Sequence, residues 1–125
     1  MFRALLATKN DDGQHVAITE LDDSDLPEGS VVIDVEYSTV NYKDGMALTG
    51  GPIIRSFPLV PGIDSAGTVS RSDDVRWVPG DRVLVNGWNT GEKHWGGYTE
   101  RTRLPGDWLT RTPDSISSLQ AMAIG

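Results

Sequence analysis

Glycine and proline recur at short intervals along this chain, which limits it to short helices and short strands. The sequence has 125 residues with fourteen glycines and seven prolines, and the apolar runs between them are rich in β-branched side chains. Such runs, separated by turn residues, are typical of a domain made mostly of strands. A chain of this length normally forms one domain around a single core. We therefore expect a mainly β domain with short helices.

The clearest strand is predicted at residues 31–40, where apolar and polar side chains alternate. The residues of the apolar face are Val31, Ile33, Val35 and Tyr37, and those of the other face are Val32, Asp34, Glu36 and Ser38. Charged residues fall on only one of the two faces. A period of two with this distribution indicates a strand of which one face is covered by a core.

Further strands and two short helices are predicted from the runs between turn residues. The predicted strands are residues 3–8, 16–21, 65–70, 82–86, 97–103 and 108–112. Residues 10–13 supply the turn of a hairpin between the first two. Asn41, with Asp44 three residues later, is a candidate N-cap of a helix that ends at Leu48. Residues 117–120 have the spacing of a capping box and begin a helix of barely two turns.

Composition and charge exclude several classes of function. The chain has eighteen acidic and eleven basic residues, a formal charge of −7 and no cysteine. Without cysteine there are no disulfides, thiolate nucleophiles or Cys-ligated zinc sites. The acidic balance argues against a nucleic-acid or anionic membrane partner, because both require clustered Lys and Arg. The first apolar run stops after Ala7, and no segment approaches the ~18 apolar residues of a membrane span, so we expect a cytoplasmic protein.

Residues 41–44 place an amide, a phenol, an ammonium and a carboxylate in one turn at a strand-to-helix junction. Backbone donors at a helix start, together with side chains that donate protons or hydrogen bonds, make this turn a candidate lip of a site. The alternative is a capped surface turn in which Lys43 pairs with Asp44.

Two other segments carry candidate side chains. Residues 87–97 form a glycine-rich loop that bears Trp88, a histidine and a second tryptophan. Large aromatic side chains in such a loop indicate either a ligand surface or a loop held back on the domain by its tryptophans. Arg55 is a candidate anion clamp or a surface ion-pair partner. Residues 62–68 have two glycines at phosphate-loop spacing but lack the required lysine, which favours a turn entering a strand.

Several of these segments, taken together in their order along the chain, match the pattern of a known family. They are residues 41–44, residues 53–58 (Ile-Ile-Arg-Ser-Phe-Pro), residues 61–69 (Pro-Gly-Ile-Asp-Ser-Ala-Gly-Thr-Val) and residues 79–83 (Pro-Gly-Asp-Arg-Val). Together they resemble the N-terminal domain of the medium-chain dehydrogenases/reductases. Residues 87–97 and 106–109 narrow the resemblance to the YhdH/AcuI branch, which contains zinc-independent quinone oxidoreductases and acrylyl-CoA reductases. The resemblance covers essentially the whole chain.

The resemblance implies a GroES-like, partly open β-barrel over residues 1–125, normally followed by a Rossmann domain that binds the cofactor. On this basis the chain ends at the start of the connecting helix, and the isolated chain is expected to be inactive. The family's full-length enzymes are expected to be homodimers. Zinc-dependent relatives have a cysteine near the first short helix and a Pro-Gly-His-Glu segment. Asp44 and the Pro-Gly-Ile-Asp segment at 61–64 stand at those places here, which implies hydride transfer without zinc.

The resemblance also implies roles for individual residues at a cleft between the two domains. Tyr42 and Asn41 are expected to bind NADPH, with Asn41 beside the nicotinamide ribose. Arg55 and Trp88 are expected to orient the substrate. No residue stands out as the proton donor, and Asp44 is the candidate catalytic residue. The implied reaction is reduction of acryloyl-CoA to propionyl-CoA. The alternatives are an NADPH:quinone reductase and a stand-alone GroES-like binding module without activity.

Overall fold

The computed structural model describes residues 1–124, and strands account for most of its regular structure; Gly125 lies outside the described residues. The strands are β1 (Phe2–Asn10), β2 (Gly13–Leu21), β3 (Val31–Ser38), β4 (Asp64–Ser72), β5 (Arg82–Asn86), β6 (Arg101–Leu104) and β7 (Thr110–Arg111). The helices are α1 (Tyr42–Leu48) and α2 (Ser118–Ile124). The predicted mainly β fold with short helices is therefore confirmed.

The strands form two antiparallel sheets. β1 and β2 make a two-stranded hairpin, and the other five pair in the order β6-β3-β4-β5-β7. The hairpin is joined to the rest of the domain through β1. The Leu5 N–H donates to Tyr98 O at 2.8 Å, and Ala7 and Leu59 exchange two backbone bonds of 2.7 and 2.9 Å. Over residues 1–124 the sheets do not close fully, as the prediction of a partly open barrel requires.

β3 is buried on both faces at its start, because two separate cores meet there. Val31 and Ile33 belong to a core within the five-stranded sheet. Val32, predicted on the polar face, is only 4% exposed and packs under the hairpin. That second core consists of Phe2, Ala4, Leu26, Val32 and Val60. The prediction that only one face of this strand is covered is therefore wrong.

The other end of β3 departs from the alternation for a different reason. The register with β4 shifts between Val35 and Tyr37, so the strict period of two is lost. Tyr37, predicted on the apolar face, is 45% exposed, and its predicted place in the core is wrong. The strand ends at Ser38 rather than at Val40, immediately before the turn that leads to α1.

The last predicted strands are shorter in the structure because their backbone groups bond elsewhere. Residues 97–100 are irregular, since the N–H groups of Gly97 and Tyr98 donate to the carbonyls of Gly62 and Pro61. A 3₁₀ turn at Gly106–Trp108 displaces the start of β7 to Thr110.

Both helices begin where the sequence predicts. α1 follows Asn41, whose N–H donates to the Asp44 carboxylate at 2.9 Å. At α2 the Ser117 N–H donates to Gln120 Oε1 at 2.8 Å, and the Gln120 N–H donates to Ser117 Oγ at 3.1 Å. This exchange is the predicted capping box. Between residues 1 and 124 there is no helix of the length and hydropathy needed to span a membrane.

Candidate functional site

Buried polar groups cluster where β3 ends, α1 begins and β4 begins. Asp44 is 1% exposed and Asp64 is 7% exposed. A carboxylate buried to this extent needs hydrogen-bond partners, because removal of a charge from water is otherwise too costly. Asp44 and Asp64 have such partners, and Asn41 is bonded to both.

Asp44 anchors the start of α1 to the segment that precedes β4. Its Oδ2 accepts the Asn41 N–H at 2.9 Å, and its Oδ1 accepts the Ile63 N–H at 3.1 Å. Each oxygen of this carboxylate therefore accepts a hydrogen bond from a backbone N–H, beneath the turn at residues 41–44. Lys43 does not pair with Asp44, and its ammonium lies 3.6 Å from the carboxylate of Glu92. The alternative of a surface turn with a Lys43–Asp44 pair is thus wrong.

Asp64, the first residue of β4, binds the side chain of Asn41. Its Oδ2 accepts the Thr39 hydroxyl and the Asn41 Nδ2, each at 3.0 Å. Asn41 Nδ2 also donates to Thr39 Oγ1 at 2.9 Å. With its amide oriented to match its surroundings, Asn86 donates to Asp64 Oδ1 at 3.2 Å. Sequence reasoning included Asp64 in a motif but did not assign it a role.

Tyr98 joins the cluster from the side of the β1–β2 hairpin. The residues around it in the sequence gave no indication of this position. Its hydroxyl donates to the Thr39 carbonyl at 2.7 Å. Burial raises the pKa of Tyr98 well above its usual value, and the negative charges of Asp44 and Asp64 raise it further. In the folded domain the Tyr98 phenol therefore stays protonated at every pH at which an exposed tyrosine is protonated.

This shift predicts a loss of stability in alkaline solution that depends on Tyr98. Above pH 10, the ordinary pKa of tyrosine, the phenol ionises in the unfolded chain before it ionises in the folded one. The folded state then binds more protons, so its stability falls as the pH rises. We expect urea unfolding at pH 8 and at about pH 11 to show a smaller alkaline loss for Tyr98→Phe than for the wild type. An equal loss in the two proteins would contradict the assignment.

Tyr42 lies on the outer side of this cluster, at the first position of α1. It is 83% exposed, and Val40, just before the turn, is 85% exposed. An aromatic ring and an aliphatic side chain are thus exposed to solvent beside the turn that holds the buried carboxylates. Asn41 and Tyr42 are exposed at the start of α1, and Asp44 is buried beneath them.

The loop at residues 87–97 is held against the domain by its aromatic side chains. Trp88 stacks on Trp108 with ring centroids 6.0 Å apart and an interplanar angle of 8°. His94 meets Trp108 edge-on at 5.0 Å, and Trp95 Nε1 donates to Pro58 O at 3.0 Å. These contacts favour the alternative of a loop tucked back by its tryptophans, although Trp88 keeps 56% of its surface exposed.

Glu92 connects this loop to the other candidate segments. Its carboxylate pairs with Lys43 of α1, and its backbone carbonyl accepts the Arg55 N–H at 2.8 Å. Arg55 is exposed, and no ion pair among residues 1–124 includes its guanidinium. Arg55 therefore remains available to an anion.

A groove of about 670 Å³ lies at the other end of α1, between the β1–β2 turn and the segment around residues 48–57. Its lining includes the apolar side chains of Leu48, Ile54 and Phe57. The Lys9 ammonium lies 5.9 Å from the centre of the Phe57 ring. The groove thus combines an apolar wall with one cationic group.

Metal ligands are not grouped in the part of the chain that the structure describes. No three His, Asp or Glu side chains between residues 1 and 124 come close enough together to hold a metal ion. The oxygens of Asp44 and Asp64 accept hydrogen bonds from backbone and side-chain donors instead.

Comparison with protein families gives one match over most of the chain. The model of the alcohol dehydrogenase GroES-like domain matches residues 27–114. These residues run from the segment before β3 to the segment after β7, and they include all of the candidate cluster.

Similar proteins match along the whole chain. The chain is 48% identical over 128 residues to acrylyl-CoA reductase AcuI of Ruegeria pomeroyi, a match that covers 100% of this chain and 39% of that protein. It is 44% identical over 126 residues to the putative quinone oxidoreductase YhfP of Bacillus subtilis, with 100% and 38% covered. The chain therefore spans less than two fifths of the length of the curated relatives it matches.

A solved structure shows the same fold. The crystal structure of Escherichia coli YhdH with bound NADPH superimposes with a TM-score of 0.93 at 50% sequence identity, covering 98% of this chain and 38% of that protein. At this identity the likeness extends to sequence as well as fold.

Proposed function

This chain belongs to the alcohol dehydrogenase GroES-like domain family, and on that premise we propose that it is the catalytic domain of an NADPH-dependent oxidoreductase. The proposed reaction reduces an activated C=C bond, in acryloyl-CoA, to give propionyl-CoA. The observation that carries this proposal is the similarity of the whole chain to an acrylyl-CoA reductase. Because the chain spans a minor part of that relative, the proposal assigns residues 1–125 to the substrate domain and cofactor binding mainly to a Rossmann domain.

The exposed residues Tyr42 and Asn41, at the edge of the cluster, fit the nicotinamide half of the cofactor. The Tyr42 ring is exposed at the first position of α1, where it can pack against a flat heterocycle. Asn41 lies beside it and is held by Asp44 and Asp64, so it can bind a ribose hydroxyl without prior ordering. When bound, the cofactor supplies the hydride. The roles of Tyr42 and Asn41 are to bind it and to orient it.

Two cations support an acyl-CoA as the substrate. The phosphates of coenzyme A need positively charged partners, and the chain as a whole carries a charge of −7. Lys9 lines the groove beside Phe57, and Arg55, which is exposed, follows the groove residue Ile54 in the chain. Trp88, half-exposed above Trp108, offers a ring for orienting the substrate.

Tyr42→Ala tests the cofactor assignment. In the protein expressed from the complete reading frame, we expect the dissociation constant of NADPH to rise at least about tenfold, which corresponds to about 1.4 kcal/mol. Tyr42→Phe, which keeps the ring, is the matched control and should bind NADPH within about twofold of the wild type. Fluorescence titration with NADPH measures all three proteins. If Tyr42→Ala binds NADPH as tightly as the wild type, Tyr42 is not part of the NADPH site.

A quinone reductase is the second candidate function, and the similarity to YhfP favours it. The two are separated by comparing NADPH oxidation with acryloyl-CoA and with benzoquinone. We expect kcat/KM to be at least about tenfold higher with acryloyl-CoA, and Arg55→Ala to lower only that value, because benzoquinone has no phosphate. A higher kcat/KM with benzoquinone than with acryloyl-CoA would favour the quinone reductase over the acyl-CoA reductase.

The remaining parts of the proposal concern partners and location. We propose a cytoplasmic homodimer that acts without zinc and binds neither nucleic acid nor membrane. The absence of cysteine supports zinc-free chemistry, and the negative charge supports the lack of a polyanionic partner. Sedimentation of the protein expressed from the complete reading frame measures its oligomeric state.

A further inference from the structure

The side-chain nitrogen of Asn41 faces two acceptors of the domain. It donates to Thr39 Oγ1 at 2.9 Å and to Asp64 Oδ2 at 3.0 Å. An amide nitrogen only donates, so its direction towards these acceptors leaves the amide oxygen as the acceptor on the other side of the group. The amide oxygen has two lone pairs, and it can accept a bond from a ligand even while it faces the start of α1.

Asp64 sets this orientation because an ionised carboxylate can only accept hydrogen bonds. The Thr39 hydroxyl donates its single hydrogen to the same Oδ2, so its lone pairs are left to accept from Asn41. If the Asn41 amide were reversed, its oxygen would face the carboxylate oxygen of Asp64. Two acceptors would then face each other at a partly buried position, which is unfavourable.

Asp64 itself has little freedom to move. It is 7% exposed and lies at the start of β4, where it pairs with Asn86 of β5. Its Oδ1 accepts from the Asn86 amide at 3.2 Å, and its backbone carbonyl accepts the Ser38 hydroxyl at 2.5 Å. The carboxylate is therefore a fixed acceptor beneath an exposed asparagine.

We propose that Asp64 is a positioning residue that fixes Asn41 with its amide oxygen as the group offered to a ligand. The ligand group at Asn41 must then be a hydrogen-bond donor, which for the cofactor is a hydroxyl of the nicotinamide ribose. This second statement rests on the proposed function, whereas the orientation of the amide does not.

The orientation is tested by NMR on the 125-residue chain. We expect the two Nδ2 protons of Asn41 to exchange with water at least about tenfold more slowly than those of the exposed Asn89, and Asp64→Asn to remove the difference. Asp34→Asn, at a half-exposed carboxylate that pairs with Arg101, is the control and should change nothing at Asn41. If Asp64→Asn does not fold, Thr39→Val removes one of the two acceptors and should give an intermediate exchange rate. Fast exchange in the wild type, or no response to either variant, would overturn the proposal.

The positioning role is tested by a double-mutant cycle in the protein expressed from the complete reading frame. We expect Asp64→Asn to raise the KM for NADPH at least about fivefold in the wild type and less than about twofold in the Asn41→Ala background, with kcat changed less than KM. Equal effects in the two backgrounds would show that Asp64 does not act through Asn41. If the unsubstituted protein binds no NADPH, the proposed function fails, and the NMR measurement still decides the orientation.

Discussion

Gly96→Ala is expected to abolish the stable folded state. Gly96 is buried, and its N–H donates to Val60 O at 2.6 Å. A Cβ at this position would overlap the carbonyl oxygen of Gly62 and would lie 2.8 Å from that of Pro61. Both neighbours are backbone atoms, so no side chain can move aside. We expect a loss of more than about 4 kcal/mol, which is most of the stability of an ordinary domain.

Urea unfolding followed by tryptophan fluorescence measures this loss, and Gly45→Ala is the matched control. Gly45 lies in α1, and a Cβ there would meet nothing within 4 Å. Because alanine is the better helix former, the control should be stabilised by up to about 1 kcal/mol. If Gly96→Ala unfolds within about 1 kcal/mol of the wild type, the tight packing of Gly96 on the segment before β4 is wrong.

Asp44→Ala is expected to cost about 3 kcal/mol of stability. The substitution removes the acceptor of two backbone donors, the N–H groups of Asn41 and Ile63, in a place that is 1% exposed. An unsatisfied buried donor costs about 1–3 kcal/mol, and the two donors left here are partly buried, so each is expected to cost an amount in the lower half of that range. Asp44→Asn keeps one acceptor oxygen and should lose roughly half as much.

The control for Asp44→Ala is Asp34→Ala, which breaks an ion pair between half-exposed side chains. Exposed pairs contribute about 0–1 kcal/mol, so this variant should stay near the wild type. Hydrogen exchange at the Ile63 amide gives a local readout, since this proton loses its acceptor only in the Asp44 variants. An equal loss of stability in Asp44→Ala and Asp34→Ala would contradict the anchoring role.

The elements that the sequence predicted well are those defined by neighbouring residues. The turn at residues 10–13 joins β1 and β2, and the caps at Asn41 and Ser117 begin the two helices. Each depends on residues within four positions of one another, so spacing alone is sufficient to locate it.

The errors arose where distant parts of the chain meet. Val32 is buried because the β1–β2 hairpin packs on the face of β3 that carries it. Tyr37 is exposed because the register of β3 shifts against β4. Neither the packing of a hairpin nor a register shift changes the local alternation from which the strand was predicted.

The same distinction applies to the candidate site. Residues 41–44 stood out because four polar groups adjoin in sequence, and the structure brings Asn41 and Asp44 together. Asp64 and Tyr98 could not be assigned from spacing, since they reach the cluster from β4 and from the segment before β6. The resemblance to a family placed the motif around Asp64 but did not identify its bond to Asn41.

The attachment of β1 has a consequence for the order in which the domain forms during synthesis. β1 and β2 pair locally, so the hairpin can form as soon as both strands have left the ribosome. Its docking partners come much later in the chain, because Ala7 bonds with Leu59 and Leu5 bonds with Tyr98. The apolar side of Phe2 and Ala4 therefore stays uncovered until Leu26, Val32 and Val60 have been synthesised, and the bond to Tyr98 forms later still. Vulnerability to aggregation or proteolysis of the nascent chain is expected to be concentrated in that interval.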